Sequence, residues 1–208
     1  MNLNEKLSIL LEKAEIGLNS EQIDLLVRFV NLISKWNKVY NLTSIKNFDE
    51  MLKKHILDSL VINKYLIGKK IADIGTGAGL PGIPLAIANP EKTFMLLDSR
   101  SKRTTFLNQV KIELKLNNVN IVTSRVENYN KDKFDVIISR AFSSLKDFHR
   151  LTRHLCSENS FLFALKGKEP SDELTFLNTT PNIVLQNIID LKIPELDGDR
   201  HLVIMKSI

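Results

Sequence analysis

The segment from residue 73 to residue 82 combines a carboxylate with closely spaced glycines. Asp73 precedes Gly75, Gly77 and Gly79, and Gly82 completes a literal G-x-G-x-x-G pattern with the last two. Glycines let a backbone turn tightly and approach a ligand closely, as in nucleotide-binding loops. A pyrophosphate would be repelled by the negative charge of Asp73, whereas a cationic ligand would be attracted. The loop therefore favours S-adenosylmethionine (SAM), which carries an ammonium and a sulfonium but no phosphate, over NAD.

Further candidate ligands follow the next two predicted strands. Asp98 and Ser99 lie about 20 residues beyond the glycines, where an acidic side chain accepts hydrogen bonds from ribose hydroxyls in such folds. Asp98 could also cap the helix that follows. Val126 and Glu127 follow the third strand, where they would meet an adenine, although Glu127 could equally belong to an exposed loop.

The end of the fourth predicted strand is informative through the motifs that it lacks. The sequence there is Ile-Ile-Ser-Arg-Ala-Phe, without the Asn/Asp-Pro-Pro-aromatic motif of amino-group methylases or the Pro-Cys of pyrimidine carbon methylases. We therefore expect a methyl acceptor that already has a free lone pair, such as guanine N7, and a reaction that depends mainly on alignment. Arg140, at the end of this strand, is a candidate functional residue. Phe142 could stack on a base or be a buried aromatic.

Basic residues at several strand ends indicate a polyanionic partner. The chain has a formal net charge of +5 at pH 7, which favours contact with phosphates without specifying one. Lys166 follows the fifth predicted strand and Arg200 lies in the last turn, so both could join Arg140 around one pocket.

These residues require an α/β scaffold to bring them together. Strands and helices alternate after Gly68, which predicts right-handed βαβ crossovers and a doubly wound sheet with ligands at the carboxyl ends of its strands. The last two strands are too close for a helical crossover and should form an antiparallel hairpin. The predicted strands are 71–74, 93–97, 120–123, 134–139, 161–165, 183–191 and 201–206, and the predicted helices between them are 80–88, 102–116, 145–155 and 171–177.

The first 65 residues have helical periodicity, with Ser20 as a candidate N-cap and a third helix over 48–65. We expect residues 1–66 to form a helical extension packed on a catalytic domain of residues 67–208. The 208-residue chain has no apolar run long enough for a membrane span and a single cysteine, Cys156, which we place in a helical stretch as a core residue. These features favour a cytoplasmic protein.

The chain closely resembles the RsmG (GidB) family over nearly its full length. The matching motifs are Trp36-Asn37-Lys38, Tyr40 to Ser44, His55 to Ser59, Asp73 to Pro84, Leu97 to Ser99, Ser139 to Phe142, Ala164 to Gly167 and Asp197 to Leu202. The resemblance implies the Rossmann-like class I SAM-dependent methyltransferase fold, with a mostly parallel doubly wound sheet, a C-terminal antiparallel hairpin strand and an N-terminal helical cap. It also implies methylation of N7 of guanine 527, in standard 16S numbering, in the 530 loop of 16S rRNA.

The family motifs and the strand-end residues together give a set of expected roles. Arg140, Lys166 and Asn37 are expected to position the reactants without a general base, and Arg103, Lys166 and Arg200 to bind RNA. Expected SAM contacts are Asp73, Gly75, Gly77, Gly79, Leu80, Asp98, Ser99, Val126, Glu127 and Arg140. The expected partner of this monomer is 16S rRNA, the small ribosomal subunit or its precursor, with no metal and no membrane. The alternatives are a SAM-dependent methylase of another RNA or a small molecule, and a non-catalytic RNA-binding or NAD-binding module.

Overall fold

A computed structural model describes residues 1–140, 142 and 144–208, and its centre is a seven-stranded sheet. The strand order is β3-β2-β1-β4-β5-β7-β6, with every pairing parallel except those made by β7. The strands are β1 Lys70–Ile74, β2 Thr93–Asp98, β3 Val119–Thr123, β4 Phe134–Ser139, β5 Cys156–Lys166, β6 Ile183–Asp190 and β7 His201–Ser207. The predicted fold class and the antiparallel hairpin of the last two strands are confirmed.

Two capped helices open the chain. Helix α1 spans Leu3–Lys13 and helix α2 spans Ser20–Tyr40. Each begins with a capping box, in which an asparagine side chain accepts a hydrogen bond from the third helical N–H and the asparagine's own backbone N–H donates to the side chain of that third residue. The cap of α2 is Asn19, one residue earlier than the serine predicted from the sequence, which is instead the first helical residue.

The predicted third helix is present as a composite. Helix α3 (Phe48–Met51) continues into a π-helical segment, Leu52–Leu57, and then into α4 (Asp58–Leu60), with a 3₁₀ turn at Asn63–Tyr65. π-Helical turns are uncommon and occur often at functional sites. This one ends immediately before Asp58.

The remaining helices cover both faces of the sheet. Helix α5 (Gly82–Ala88) follows β1, α6 (Ser101–Glu113) follows β2 and α7 (Leu145–Thr152) follows β4. A 3₁₀ helix covers Ser171–Thr179, where the sequence predicts a short helix. One apolar core lies between the sheet and α5 and α6, and a second lies on the face covered by α7.

The N-terminal helices share the first of these cores. Leu7, Phe29 and Ile56 are fully buried in the same cluster as Ile71 of β1 and Phe94 of β2. Because they bury their apolar faces against the sheet layer and not only against each other, we propose that residues 1–66 form an extension packed on the 67–208 domain.

Helix α2 runs toward the carboxyl edge of the sheet. Near its start, Gln22 Nε2 donates to the carbonyl oxygen of Ile87 at the end of α5 (3.1 Å). Farther along α2, Arg28 Nη2 donates to the carbonyl of Glu113 at the end of α6 (2.8 Å), and Trp36 contacts Phe106, seven residues earlier in α6. Since α5 ends and α6 begins at opposite edges, the last turn of α2 lies on the side where β1 and β2 end.

The expectation that Cys156 lies in a helical stretch is wrong. It begins β5, directly after a 3₁₀ turn, and is only partly buried. Burial raises the pKa of its thiol to about 11, so it is protonated at neutral pH. Among the described helices, none is at once long enough and apolar enough to cross a bilayer.

The turn between β1 and α5 depends on Gly79. Its φ is +88°, and a Cβ there would lie 2.7 Å from both Ile83 Cγ1 and Leu107 Cδ2. Both atoms belong to fully buried side chains, so they have little room to move aside.

We expect Gly79→Ala to lower the free energy of unfolding by about 1–3 kcal/mol, because strain and overlap act together. Urea denaturation measures this change. Gly17→Ala is the matched control, since a Cβ on Gly17 would have no heavy atom within 4 Å and this glycine has no left-handed φ. Equal effects of the two substitutions would contradict the role given to Gly79.

Candidate functional site

Two cavities open at the carboxyl edge of the sheet, on either side of the end of β4. The first has a volume of about 380 Å³ and lies at the ends of β1, β2 and β3. We call it the β1–β3 cavity. It is lined by Ile74, Gly75, Leu97, Asp98, Ser99, Arg100, Arg103, Ser124, Arg125, Val126, Glu127, Phe142 and Leu151.

This cavity brings together half of the predicted SAM contacts. Gly75, Asp98, Ser99, Val126 and Glu127 all line it, although they come from three different strand ends. Their convergence follows from the parallel order of β1, β2 and β3, which places the three carboxyl ends side by side.

The carboxylate of Asp98 organises the floor of the β1–β3 cavity. It is 3% exposed and accepts hydrogen bonds from the backbone N–H of Gly77 (3.0 Å) and of Arg100 (2.9 Å). Arg100 is the N-cap of α6, so Asp98 supports the start of that helix as well as the glycine loop. Both sequence-based interpretations of Asp98, as helix anchor and as ligand acceptor, are compatible with this position.

Arg103 lies in the β1–β3 cavity and not beside the other predicted RNA-binding residues. Its Nη1 lies 3.1 Å from Asp98 Oδ2, and its guanidinium is 3.8 Å from the position of a Cβ on Gly77. The sequence offered no signal for this pairing, because Arg103 is on the first turn of α6 and could point in several directions.

Asp73 lies beneath the loop and does not line the cavity. Its side chain is on the face of β1 that is covered by α5, and the residue is 1% exposed. Its Oδ2 accepts hydrogen bonds from Thr76 Oγ1 (2.7 Å) and from the backbone N–H of Gly82 (2.8 Å). Asp73 therefore ties both ends of the loop to β1 and supplies an anionic cap to α5.

The second oxygen of Asp73 is unsatisfied. Oδ1 is buried and has no hydrogen-bond partner among the described residues. Burial raises the pKa of this carboxyl to about 6, against the lowering effect of the hydrogen bonds from Thr76 and Gly82. A buried carboxylate with an unused acceptor is costly for stability and typical of functional sites.

Three other predicted SAM contacts belong to the loop but not to the cavity lining. Gly77 is half-buried near Arg103, Gly79 is buried against Ile83 and Leu107, and Leu80 is part of the apolar core. Their visible role is to fold the loop.

The upper wall of the β1–β3 cavity is apolar. Val126 opens a 3₁₀ turn after β3, and Phe142 lies beyond the end of β4 with its ring 5.2 Å from that of Phe148. Leu97 and Leu151 complete this wall. Apolar side chains together with the carboxylate of Glu127 suit a flat ring with polar edges.

The second cavity has a volume of about 230 Å³ and lies at the ends of β4 and β5 and the start of β7. We call it the basic cavity. Because β7 is antiparallel to β5, its first residue reaches the edge at which β5 ends. The cavity is lined by Asp58, Arg140, Leu165, Lys166, Gly167, Leu191, Asp199, Arg200 and His201.

Three predicted site residues meet in the basic cavity, namely Arg140, Lys166 and Arg200. Each has an acidic partner: Lys166 Nζ lies 2.9 Å from Glu173 Oε2, and both arginines contact Asp58. Arg140 lines this cavity and not the β1–β3 cavity. Its charge nevertheless lowers the pKa of Asp73, which places it within electrostatic reach of the glycine loop.

Asn37 lies outside both cavities. It is 9% exposed, and its amide makes two hydrogen bonds to the backbone of Thr43, donating to the carbonyl at 2.8 Å and accepting from the N–H at 2.9 Å. Thr43 Oγ1 is 3.0 Å from His55 Nε2, and burial lowers the pKa of this histidine. Asn37 thus fixes the turn between α2 and α3, and its role in positioning substrate stays a prediction.

Three lining residues of the basic cavity, Asp58, Asp199 and His201, were not predicted as site residues, although they lie within the family motifs His55 to Ser59 and Asp197 to Leu202. Among the residues described, no group of three His, Cys, Asp or Glu side chains is arranged to hold a metal ion.

Comparisons with known proteins agree with this geometry. The family model described as rRNA small subunit methyltransferase G matches residues 22–203. A protein named ribosomal RNA small subunit methyltransferase G from Colwellia psychrerythraea is 50% identical over 100% of both chains. Its namesake from Glaesserella parasuis is 52% identical over 96% of this chain and 98% of its own.

Solved structures show the fold at much lower identity. A SAM-dependent methyltransferase from Aquifex aeolicus aligns with a TM-score of 0.58 at 15% identity, covering 84% of this chain and 98% of its own. TrmN from Thermus thermophilus aligns with a TM-score of 0.55 at 13% identity, covering 83% of this chain and 53% of its own. The match of the family model and the near full-length relatives show that this chain belongs to the rRNA small subunit methyltransferase G family.

Proposed function

We propose that the protein transfers a methyl group from SAM to N7 of a guanine in 16S rRNA, at position 527 of the 530 loop. The observation that carries this proposal is the pair of neighbouring cavities. The first holds Gly75 and the carboxylates of Asp98 and Glu127 beside three arginines, and the second holds Arg140, Lys166 and Arg200 beside Asp58. Family membership supplies the substrate class.

The β1–β3 cavity suits SAM in size and chemistry. Its volume falls within the usual range of about 300–1,000 Å³ for small-molecule sites. Asp98 and Ser99 are proposed to hold the ribose, and Val126, Glu127 and Phe142 the adenine. When bound, SAM supplies a methyl group on a positively charged sulfur.

Asp73 is proposed to act on the cofactor through the loop and through its charge. Its unused Oδ1 is buried under the loop, where it contributes negative potential to the cavity floor. Its other oxygen holds Thr76 and Gly82, so that the backbone of Gly75 and Gly77 keeps its position.

The basic cavity is proposed to receive the guanosine. N7 lies in the deep groove of paired RNA, where side chains do not reach it, so the target base must be unpaired or turned outward. Arg140, Lys166 and Arg200 can then contact the phosphates or the base edge, and N7 needs no proton removed before it attacks. Positioning by these residues is the main contribution of the protein to the rate.

The proposed partner is 16S rRNA, either free, in the small ribosomal subunit or in its precursor, and the proposed enzyme is a cytoplasmic monomer. The formal net charge of +5 supports a polyanionic substrate but does not distinguish among these forms.

Incubation with labelled SAM tests the activity directly. We expect label in unmethylated small subunits or free 16S rRNA, mapped by cleavage at N7-methylguanine to position 527, and none in transfer RNA. Label at another base, or only in transfer RNA, would overturn the proposal.

Asp73→Asn should change both the pH dependence of the free energy of unfolding and the affinity for SAM. The carboxyl pKa is raised from 3.8 to about 6 in the folded state. At pH values between these two, the folded protein therefore keeps a proton that the unfolded chain has already released. This contribution to stability is complete below about pH 4 and is lost as the pH rises through 6. The asparagine variant does not lose this stability as the pH rises. Its free energy of unfolding, compared with that of the wild type, should therefore increase between pH 4 and pH 7.

The same variant should bind SAM at least tenfold more weakly while its affinity for RNA is preserved. Calorimetric titration and urea denaturation at the two pH values measure both effects. An unchanged affinity for SAM would argue against the role proposed for the Asp73 charge.

Lys166→Ala should have the reverse selectivity. A charge-assisted hydrogen bond contributes about 1.5–3 kcal/mol, so we expect kcat/KM for 16S rRNA to fall by about tenfold to a hundredfold with SAM binding unchanged. Lys131→Ala is a matched control, because Lys131 is exposed and precedes β4 at the opposite edge of the sheet. Equal losses in the two alanine variants would mean that only general charge is involved.

A further inference from the structure

Asp58 joins two arginines that come from distant parts of the chain. Its Oδ2 lies 2.7 Å from Nη1 of Arg140, at the end of β4, and its Oδ1 lies 2.8 Å from Nε of Arg200, at the start of β7. One carboxylate therefore contacts both guanidinium groups of the basic cavity, each through a different oxygen.

The three side chains are largely withdrawn from solvent. Their exposed fractions are 16% for Asp58, 29% for Arg140 and 23% for Arg200. Two guanidinium groups in one small, poorly solvated cavity repel each other, and a carboxylate between them offsets that repulsion. The two arginines and the carboxylate of Asp58 together thus carry one positive charge instead of two.

The backbone around Asp58 is held firmly. Leu57 and Leu60 are fully buried on either side of it, and Ser59 Oγ donates to the carbonyl of His55. Arg200 is fixed independently, because its Nη1 donates to the carbonyls of Asp197 (3.1 Å) and Gly198 (3.0 Å). The carboxylate of Asp58 is therefore held in place, and it orients Arg140, which is more exposed.

We propose that Asp58 is a positioning residue for methyl transfer. It sets the separation and direction of Arg140 and Arg200 so that the target nucleotide enters in one orientation. It also limits the positive charge of the cavity, so that RNA without the target is held weakly. This inference rests on the proposed function and assigns part of the substrate site to the N-terminal helical extension.

The two effects of Asp58 predict opposite changes when its charge is removed. Without the carboxylate, the cavity becomes more cationic, and a polyanion should bind more tightly and with a steeper salt dependence. The arginines are no longer aligned, so methyl transfer should slow. A residue that merely stabilised the fold would lower the rate and the affinity together.

Asp58→Asn is the main test, since it keeps the shape and removes the charge. We expect kcat to fall at least tenfold, with binding of transcribed 16S rRNA and of transfer RNA as tight as in wild type or tighter. The slope of log affinity against log salt should steepen by about 0.7–0.9, corresponding to one more phosphate contact. Affinity for SAM should be unchanged, which would show that the variant is folded.

Asp58→Glu separates charge from position. It retains the negative charge but moves the carboxylate, so the wild-type salt slope should return while kcat stays low. Asp49→Asn is the matched control in the same helical segment, where Asp49 pairs with Lys6 on the surface at 2.7 Å. We expect it to change neither kcat nor the salt slope.

The outcomes distinguish this inference from the proposed function. A kcat for Asp58→Asn within twofold of wild type, or a joint loss of rate and RNA affinity with the slope unchanged, would overturn the role of Asp58. A wild-type protein that does not methylate 16S rRNA would overturn the proposed function instead. In that case the salt dependence of RNA binding still tests whether Asp58 sets the charge of the cavity. Equal slopes of log affinity against log salt in Asp58→Asn and Asp58→Glu would refute that role. If Asp58→Asn does not fold, a wild-type kcat in Asp58→Glu refutes the positioning role.

Discussion

The buried carboxylate of Asp73 is the contact on which the arrangement of the site depends. One of its oxygens holds Thr76 and the first N–H of α5, so a single side chain fixes both ends of the glycine loop to β1. A second carboxylate, Asp98, holds the middle of the loop through the N–H of Gly77. The loop therefore lies over two buried carboxylates, of which Asp98 is paired with Arg103. Burying these groups costs free energy of folding, and in return the loop has a fixed position.

The same use of paired opposite charges recurs in the basic cavity. Arg140, Arg200 and Lys166 are each oriented by Asp58 or Glu173 before any substrate is present. A phosphate that enters must compete with a carboxylate or share its cation, so charge alone does not secure binding. Shape and orientation then contribute more to selectivity than the net charge of the chain does.

The sequence was most informative where local pattern decides structure. Alternating strands and helices predicted the sheet, and because parallel strands end at one edge, Asp98, Val126 and Glu127 could be placed in a common cavity in advance. The orientation of Asp73 could not, because β1 is buried on both faces and shows no alternation of apolar and polar residues. The partners of Asp58 were beyond reach as well, since they lie 82 and 142 residues away along the chain. The pairing of Arg103 with Asp98 could not be predicted for a related reason, since spacing cannot tell which way a long side chain turns.

The position of β7 in the sheet has a consequence for how the protein is made. β7 lies between β5 and β6, so β6 has no neighbouring strand until residues 201–207 have left the ribosome. During synthesis Asp58 can meet Arg140 but not Arg200, and the edge of β5 remains open. Until then the nascent chain exposes one open edge of β5, which is paired only with β4, and an unpaired β6, a state prone to association with other chains. The pairing of β7 closes this side of the sheet and completes the basic cavity in the same late step. A partly made chain therefore cannot hold the cavity in its finished form.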